Sequence, residues 1–317
     1  MRRRRTSRPL IVVVGHLVRD EIISVSGKMT FALGGIAYNL ATLQAIMRKG
    51  TILPVCRVGE DIRNMIRESF GSCSVLDVSG FQFTHSPNVV NRLVYRHDGA
   101  RDEWNSRRSS PLSLKNIPIE ADAVMFNFIS GNDVKLRDLK AFRQRYRGLI
   151  YFDFHSLALG HDSAGRRCYR YHPRWRDYVS VADIVQMNRL ELASIMRAEQ
   201  RSKVDVYDAC RGLHETGPGI AIITDGKNGI IISTRSPARG YHVPATAVRR
   251  VIDTTGCGDS LGAAFVWKYL ITNDVLESIE FASRIASSKA TFSGIDGFGR
   301  INEIAKRLGS PRKAIRL

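Results

Sequence analysis

Short runs of β-branched and aliphatic residues alternate along the chain with stretches whose apolar positions recur every three to four residues. Buried parallel strands read as unbroken apolar runs, so this alternation is the pattern of a mostly parallel sheet flanked by helices on both faces. It predicts strands over 10–14, 51–55, 123–128, 149–154, 183–186, 220–224 and 229–233. A helix is predicted over 36–48, where Ile36, Leu40, Leu43 and Met47 share a face and Lys49 and Gly50 close the end. Further helices are expected over 59–70, 134–147, 189–198, 203–216, 259–271 and 276–291. Two stretches, 21–33 and 80–110, carry β-formers and turn residues without helical periodicity and are expected to form a small separate sheet.

The chain has 317 residues, 44% of them hydrophobic and 25% charged, which is the composition of a folded domain with a sizeable core and excludes disorder. Charge changes the picture more: 48 Lys and Arg against 30 Asp and Glu leave a net +18. That excess is localised. Residues 1–10 and 306–317 hold five basic residues each and no acid, and residues 135–176 hold eleven against three acids, so the rest of the chain is neutral. The tails 1–9 and 309–317 are therefore read as appendages. Nucleic acid is not expected as the main partner, although Arg166 to Arg176 interleaves cations with aromatics as single-strand binders do.

No segment reads as a secretory leader, because the apolar run after Arg2 to Arg5 is short and meets Gly15, His16, Arg19 and Asp20. No run approaches the length of a membrane span, so no membrane is expected as a partner. Five widely spaced cysteines without a CxxC fit reduced thiols and a cytoplasmic location. There is no GxGxxG after the first strand and no GxxxxGK[ST] anywhere, which disfavours a dinucleotide oxidoreductase and a P-loop enzyme.

Two motifs carry chemistry. Asp253-Thr-Thr-Gly256-Cys257-Gly258-Asp259 precedes a strongly apolar helix, so a glycine-rich turn sits at a helix N-terminus, where free N–H groups and the dipole favour an anion. A carboxylate beside an anion hole is reasonable if Asp259 takes a proton from an attacking hydroxyl while those N–H groups hold a phosphoryl group. A simple helix cap explains Asp259 equally well on this turn alone. Gly34 and Gly35 open the helix that carries Asn39, whose amide can bond a polyol; a tight turn with a locally satisfied Asn is the plainer explanation.

Taken together, the motifs resemble the ribokinase-like, PfkB-type family of carbohydrate and nucleoside kinases along nearly the whole chain. The resemblance rests on Asp20 after the first strand, Gly34, Gly35 and Asn39, Asn188-Arg-Leu-Glu191, Thr224-Asp-Gly226-Lys-Asn-Gly229, and the turn ending in Asp259. It implies a ribokinase-like three-layer fold over residues 1–317, a single domain in which the β-rich segments form a lid. It implies Gly256, Cys257 and Gly258 as the anion hole, Asp259 as the base, and Asp20, Gly34, Gly35 and Asn39 on the acceptor. Asn188, Thr224, Gly226 and Gly229 fall on the nucleotide side, with Glu191 toward Mg²⁺ and ATP as the donor. It leaves room for a monovalent cation near Asp253 and Thr255, and for a homodimer.

One departure bears on the acceptor. Where many such sugar kinases have Asp-x-Asn-x-Arg, this chain has Asp153-Phe-His155-Ser-Leu157, which weakens a ribose or fructose assignment. Phe31, Phe81, Phe83, Tyr95 and Trp104 fall in the β-rich segments, where they can stack on a nucleobase or pack a small sheet. A sugar, sugar phosphate, nucleoside or inositol acceptor stays open, as does a non-catalytic ligand-binding role on the same scaffold.

Overall fold

The structure, a computed structural model, describes residues 6–97, 101–106, 109–196, 205–308 and 314–317. Strand β1 (Leu10–Val14) is an interior strand of the chain's main sheet, third from one edge. Its alternate side chains enter different cores. Ile11 and Val13 join the cluster beneath one face of the sheet, and Val12 and Val14 the cluster on the other, as two-sided burial of a parallel strand requires.

From β1 the chain forms the hairpin β2 (Leu17–Ile23) and β3 (Met29–Gly35), helix α1 (Ala37–Ile46), strand β4 (Thr51–Gly59), helix α2 (Arg63–Phe70) and strand β5 (Phe81–Thr84). Strands β6 (Val90–Tyr95) and β7 (Arg101–Asn105) follow, then β8 (Ala123–Asn127), α3 (Leu136–Arg145), β9 (Leu149–Asp153), a hairpin of β10 (Leu159–His161) and β11 (Arg167–Tyr169), and α4 (Trp175–Val179). The remainder is β12 (Ile184–Asn188), α5 (Arg189–Ile195), α6 (Val206–Thr216), β13 (Ile220–Thr224), β14 (Ile230–Arg235), β15 (Ala238–Val243), α7 (Cys257–Thr272), α8 (Val275–Lys289), α9 (Ile301–Arg307) and β16 (Ile315–Arg316).

The main sheet runs β16-β15-β14-β13-β12-β9-β8-β1-β4-β5, parallel from β5 to β13 and antiparallel beyond it. Helices α1, α2, α7, α8 and α9 contribute to one core cluster, and α3 to α6 to the other. The fold is thus the expected three-layer arrangement with a mostly parallel sheet. After β1 the chain first moves outward through β4 to β5 and then returns to β8 on the other side of β1. That reversal places a crevice outside the carboxyl ends of β1 and β8, where ligands of such sheets bind. The polar residues Asn127, Asp153, Asn188 and Thr224 each end a largely buried strand on that side.

A separate sheet runs β3-β2-β6-β7. Its limits differ from the expected 21–33 and 80–110. It begins at Leu17 and so contains Asp20, while Phe81–Thr84 pairs in parallel with β4 at the edge of the main sheet. Phe81 is buried in the main core against Phe70, and that burial pulls its strand away from the small sheet. The glycine pair also differs from expectation: Gly34 and Gly35 end β3, and the helix starts at Ala37. The end of the chain, read as part of an appendage, contributes β16, whose neighbour Leu317 donates its N–H to the Gly240 carbonyl at 2.9 Å. Several basic residues of 135–176 pair with acids outside that segment, as in Lys140 with Asp177, Arg143 with Asp183 and Arg167 with Glu103. Among the described residues no helix is long and apolar enough to cross a membrane.

Candidate active site

Helix α7 begins at Cys257 because Gly256 takes a left-handed φ of +77° and turns the chain into it. A Cβ at Gly256 would lie 2.2 Å from the Tyr38 ring, so glycine is required twice, by conformation and by contact. The first-turn amides of Gly256 and Gly258 have no carbonyl four residues back within the helix. The turn is braced from behind: Gln186 donates to the Gly258 carbonyl at 3.0 Å, and the Asn39 amide donates to the Asp259 carbonyl at 3.1 Å. Burial pushes the Cys257 thiol up to about 12, so its side chain stays a neutral thiol, and its N–H donates to the Thr254 carbonyl at 3.2 Å.

The Asp259 carboxylate accepts from Asn127 Nδ2 at 2.7 Å. Burial raises its pKa above the ordinary carboxylate range, opposed by the charge of His155 and the Asn127 bond. Asp153, at the end of β9, is raised further by burial and by the charges of Glu191 and Asp259. At His155, burial pulls down, but the hydrogen bond to Glu191 at 3.4 Å and that residue's charge outweigh it and hold the imidazole pKa at about 9. The site is therefore a cluster of carboxylates with one imidazolium among them.

Asn188 and Glu191 form a capping box on α5. Glu191 N–H donates to Asn188 Oδ1 at 2.9 Å, and Asn188 N–H donates to Glu191 Oε2 at 2.8 Å. The box accounts for the spacing of the motif and leaves the Glu191 carboxylate on the cavity wall. Thr224 ends β13, and Gly226 and Gly229, both at positive φ, shape the turn after it.

On the small sheet, Asp20 is buried and its pKa rises to about 7, chiefly by burial and then by the charge of Glu103. Asp20 Oδ1 has no hydrogen-bond partner. Gly34 permits this placement, since a Cβ there would sit 2.1 Å from Asp20 Oδ2. Arg101 donates to Thr255 Oγ1 at 2.6 Å, and Arg167 to Glu103 at 2.5 Å.

One cavity of about 1040 Å³ joins these parts. It is walled by Asp20, Gly35, Asn91, Arg101, Glu103 and Arg167 at one end, and by Thr224, Gly226, Gly229, Val248 and Val251 at the other. Asp153, His155, Glu191 and the Gly256 to Asp259 turn also line it. Asn39 is not part of the wall; its amide is engaged by Asn127 and by Asp259. Among the described residues, none of Phe31, Phe81, Phe83, Tyr95 and Trp104 lines the cavity. Phe83 packs under Arg63, the Tyr95 hydroxyl bonds Asp253 and Thr255, and Trp104 donates to the Ala164 carbonyl.

Reading the residues alone did not single out Asn127, Gln186, Arg101, Glu103 or Arg167. For Asn127 a signal existed: a lone amide ending the apolar run Ala-Val-Met-Phe at the carboxyl end of a strand is where an open parallel sheet presents side chains to ligand. The arginines and Glu103 lie in segments whose pairing is long-range and left no local mark.

Residues 164–296 match the family described as pfkB family carbohydrate kinase. Over that stretch the chain is similar to the PfkB-type kinases. It is 26% identical over 260 residues to a cytidine kinase of Thermococcus kodakarensis, covering 82% of this chain and 88% of that one. Its fold matches a ribokinase of Arabidopsis thaliana solved with ribose and ATP, with a TM-score of 0.71 at 18% identity over 96% of this chain and 99% of that one. It also matches a pyrophosphate-dependent kinase of the ribokinase family complexed with a pyrophosphate analogue and myo-inositol, with a TM-score of 0.72 at 19% identity over 90% and 96% of the two chains. These similarities support a kinase, and Asp20, Gly35, Asn188, Glu191, Thr224, Gly226, Gly229 and the Gly256 to Asp259 turn line one cavity.

Proposed function

We propose that this PfkB-type kinase transfers the γ-phosphoryl group of ATP to a hydroxyl of a sugar, nucleoside or related polyol, with Asp259 as general base. The observation that carries the proposal is the position of Asp259 in the cavity. It lies in the first turn of α7, on a wall that also holds the hydrogen-bonding end at Asp20, Arg101 and Glu103 and the glycine turn after β13. A hydroxyl held at the polar end meets a carboxylate to take its proton and amides to take the phosphoryl charge.

Gly256 and Gly258 supply those amides, and Cys257, whose N–H donates to the Thr254 carbonyl at 3.2 Å, shapes the turn between them. Asp20 and Gly35 face the acceptor, with Gly34 admitting the Asp20 carboxylate, and Asn39 acts from behind by fixing Asp259. Asn188, Thr224, Gly226 and Gly229 flank the donor phosphates. Val248, Val251, Ala286 and Ala290 give the donor end an apolar wall suited to a nucleotide base, which favours ATP over pyrophosphate. For Mg²⁺ the residues fit: Glu191 and Asp153 are hard carboxylate donors on one cavity wall, and Asp153 is held above the usual carboxylate range by burial and by the charge of Glu191. Such an ion would neutralise phosphate charge. The four strands of the small sheet act as a lid that excludes water from the acceptor end. With no aromatic among the described residues of that sheet on the wall, the acceptor is read by hydrogen bonds and charge.

The test is an ATP-consumption screen across sugars, sugar phosphates, nucleosides and inositols, repeated with Asp259→Asn. Loss of the base should lower kcat about 10²-fold or more with the acceptor that turns over. Near-normal turnover would refute the assignment.

A further inference from the structure

Lys289, the last residue of α8, has a relative exposure of 0%. Its ammonium group donates to the Phe292 carbonyl at 3.0 Å, stands 3.9 Å from Asp253 Oδ2, and faces the rings of Tyr38 at 5.5 Å and Phe292 at 5.1 Å. Burying a charged amine is unfavourable unless something is gained by its position. What it touches is the support of the phosphate turn. Asp253 accepts from the Thr255 N–H at 2.8 Å and from Ser293 at 3.1 Å, and Tyr38 is the ring under Gly256. The Ile252 N–H also donates to the Ala290 carbonyl at 2.8 Å. The segments 252–256 and 289–293 are thus held together around one buried positive charge.

A carboxylate, a backbone carbonyl and two ring faces around a dry pocket make a donor set for a dehydrated monovalent cation. The sequence resemblance left room for such an ion beside Asp253 and Thr255. The residues present do not fit it, because the ammonium of Lys289 already stands against Asp253. We propose that Lys289 is a built-in cation, a positioning residue that holds the Asp253 to Gly256 turn in its phosphate-accepting shape, so that transfer proceeds without an added monovalent cation. This rests on the phosphotransferase reading above.

Two measurements test it. In the first, wild-type turnover is followed as KCl replaces choline chloride at constant ionic strength; it should not change. Lys289→Ala should lose roughly 10- to 100-fold in kcat, the range for partners that orient a site from outside, with the acceptor KM little altered. Potassium, ammonium or methylammonium chloride should restore part of that loss, and choline chloride should not. The second is the melting temperature, which does not depend on any acceptor. Small monovalent cations should raise it in Lys289→Ala and in Lys289→Met, but not in the wild type, since a ligand stabilises only a chain with a site for it. Potassium activation of the wild type, full kcat in Lys289→Ala, or variants indifferent to every cation would overturn the proposal. If the wild type turns over no acceptor, the phosphotransferase reading fails while the melting temperatures still decide whether Lys289 fills a cation site.

Discussion

The side-chain amide of Asn127 bridges two helices at once, donating to Asn39 Oδ1 of α1 at 2.6 Å and to Asp259 Oδ1 of α7 at 2.7 Å. The end of β8 thereby orients the proposed base and favours its ionised form against the effect of burial. A hydrogen bond to a charged group contributes about 1.5–3 kcal/mol, so Asn127→Leu should lower kcat roughly ten-fold or more. Because that bond favours the ionised form, the acid limb of the pH–rate profile should also move to higher pH. A fall in kcat with an unmoved limb would leave Asn127 with a packing role alone.

Asp20 provides a stability signature. Its folded carboxyl holds a proton up to about 7, against an ordinary value of 3.8. Between those limits the folded chain binds more protons than the unfolded one, so this residue withdraws stability as pH rises through the window. Asp20→Asn cannot ionise and should melt progressively higher than the wild type as pH increases, the gain levelling off above about 7. The same variant should raise the acceptor KM by about ten-fold, the loss of one charge-assisted hydrogen bond. A melting-temperature difference that is flat with pH would contradict this account.

Gly256→Ala combines a left-handed conformation, worth about 1–2 kcal/mol for a residue with a Cβ, with overlap on the Tyr38 ring. The expected destabilisation is about 2–5 kcal/mol, read from chemical unfolding. Tyr38→Leu should recover part of it in the double variant, since the two sites are in contact. Strict additivity of the two changes would place the strain elsewhere.

Glu191→Gln separates the cap from the charge. Glutamine still accepts the Asn188 N–H, so the capping box and the melting temperature should be retained. Two readouts should move: the Mg²⁺ needed for half-maximal turnover, by roughly ten-fold, and the His155 imidazole titration by NMR, from about 9 toward its ordinary 6.5. A lowered melting temperature with both readouts unmoved would reduce Glu191 to a helix cap.

Local pattern went far for this chain because buried parallel strands and their covering helices have local signatures. Residues 10–14 and 220–224 are strands with the bounds their apolar runs predict, and the apolar run after Asp259 is the helix α7. The motif residues Asp259, Glu191, Thr224 and Gly226 were all identifiable before their meeting place was known. Phe81 shows where such reading stops: its β-forming neighbours suit either sheet, and only contact with Phe70, across the chain's own fold, draws the strand to the main one.

What the sequence determined by itself was the layer architecture, the glycine-rich turn at the start of a buried helix and the short list of chemical groups, since each depends on periodicity or on neighbours within a few residues. Tertiary structure alone decided which groups face one another. It set the Asn39 amide against the Asp259 carbonyl, kept the lid aromatics off the cavity wall, brought Arg101, Glu103 and Arg167 onto it, and set the Lys289 ammonium against Asp253. Those outcomes depend on burial and on the distances between charges from remote segments, and neither quantity exists until the chain has closed on itself.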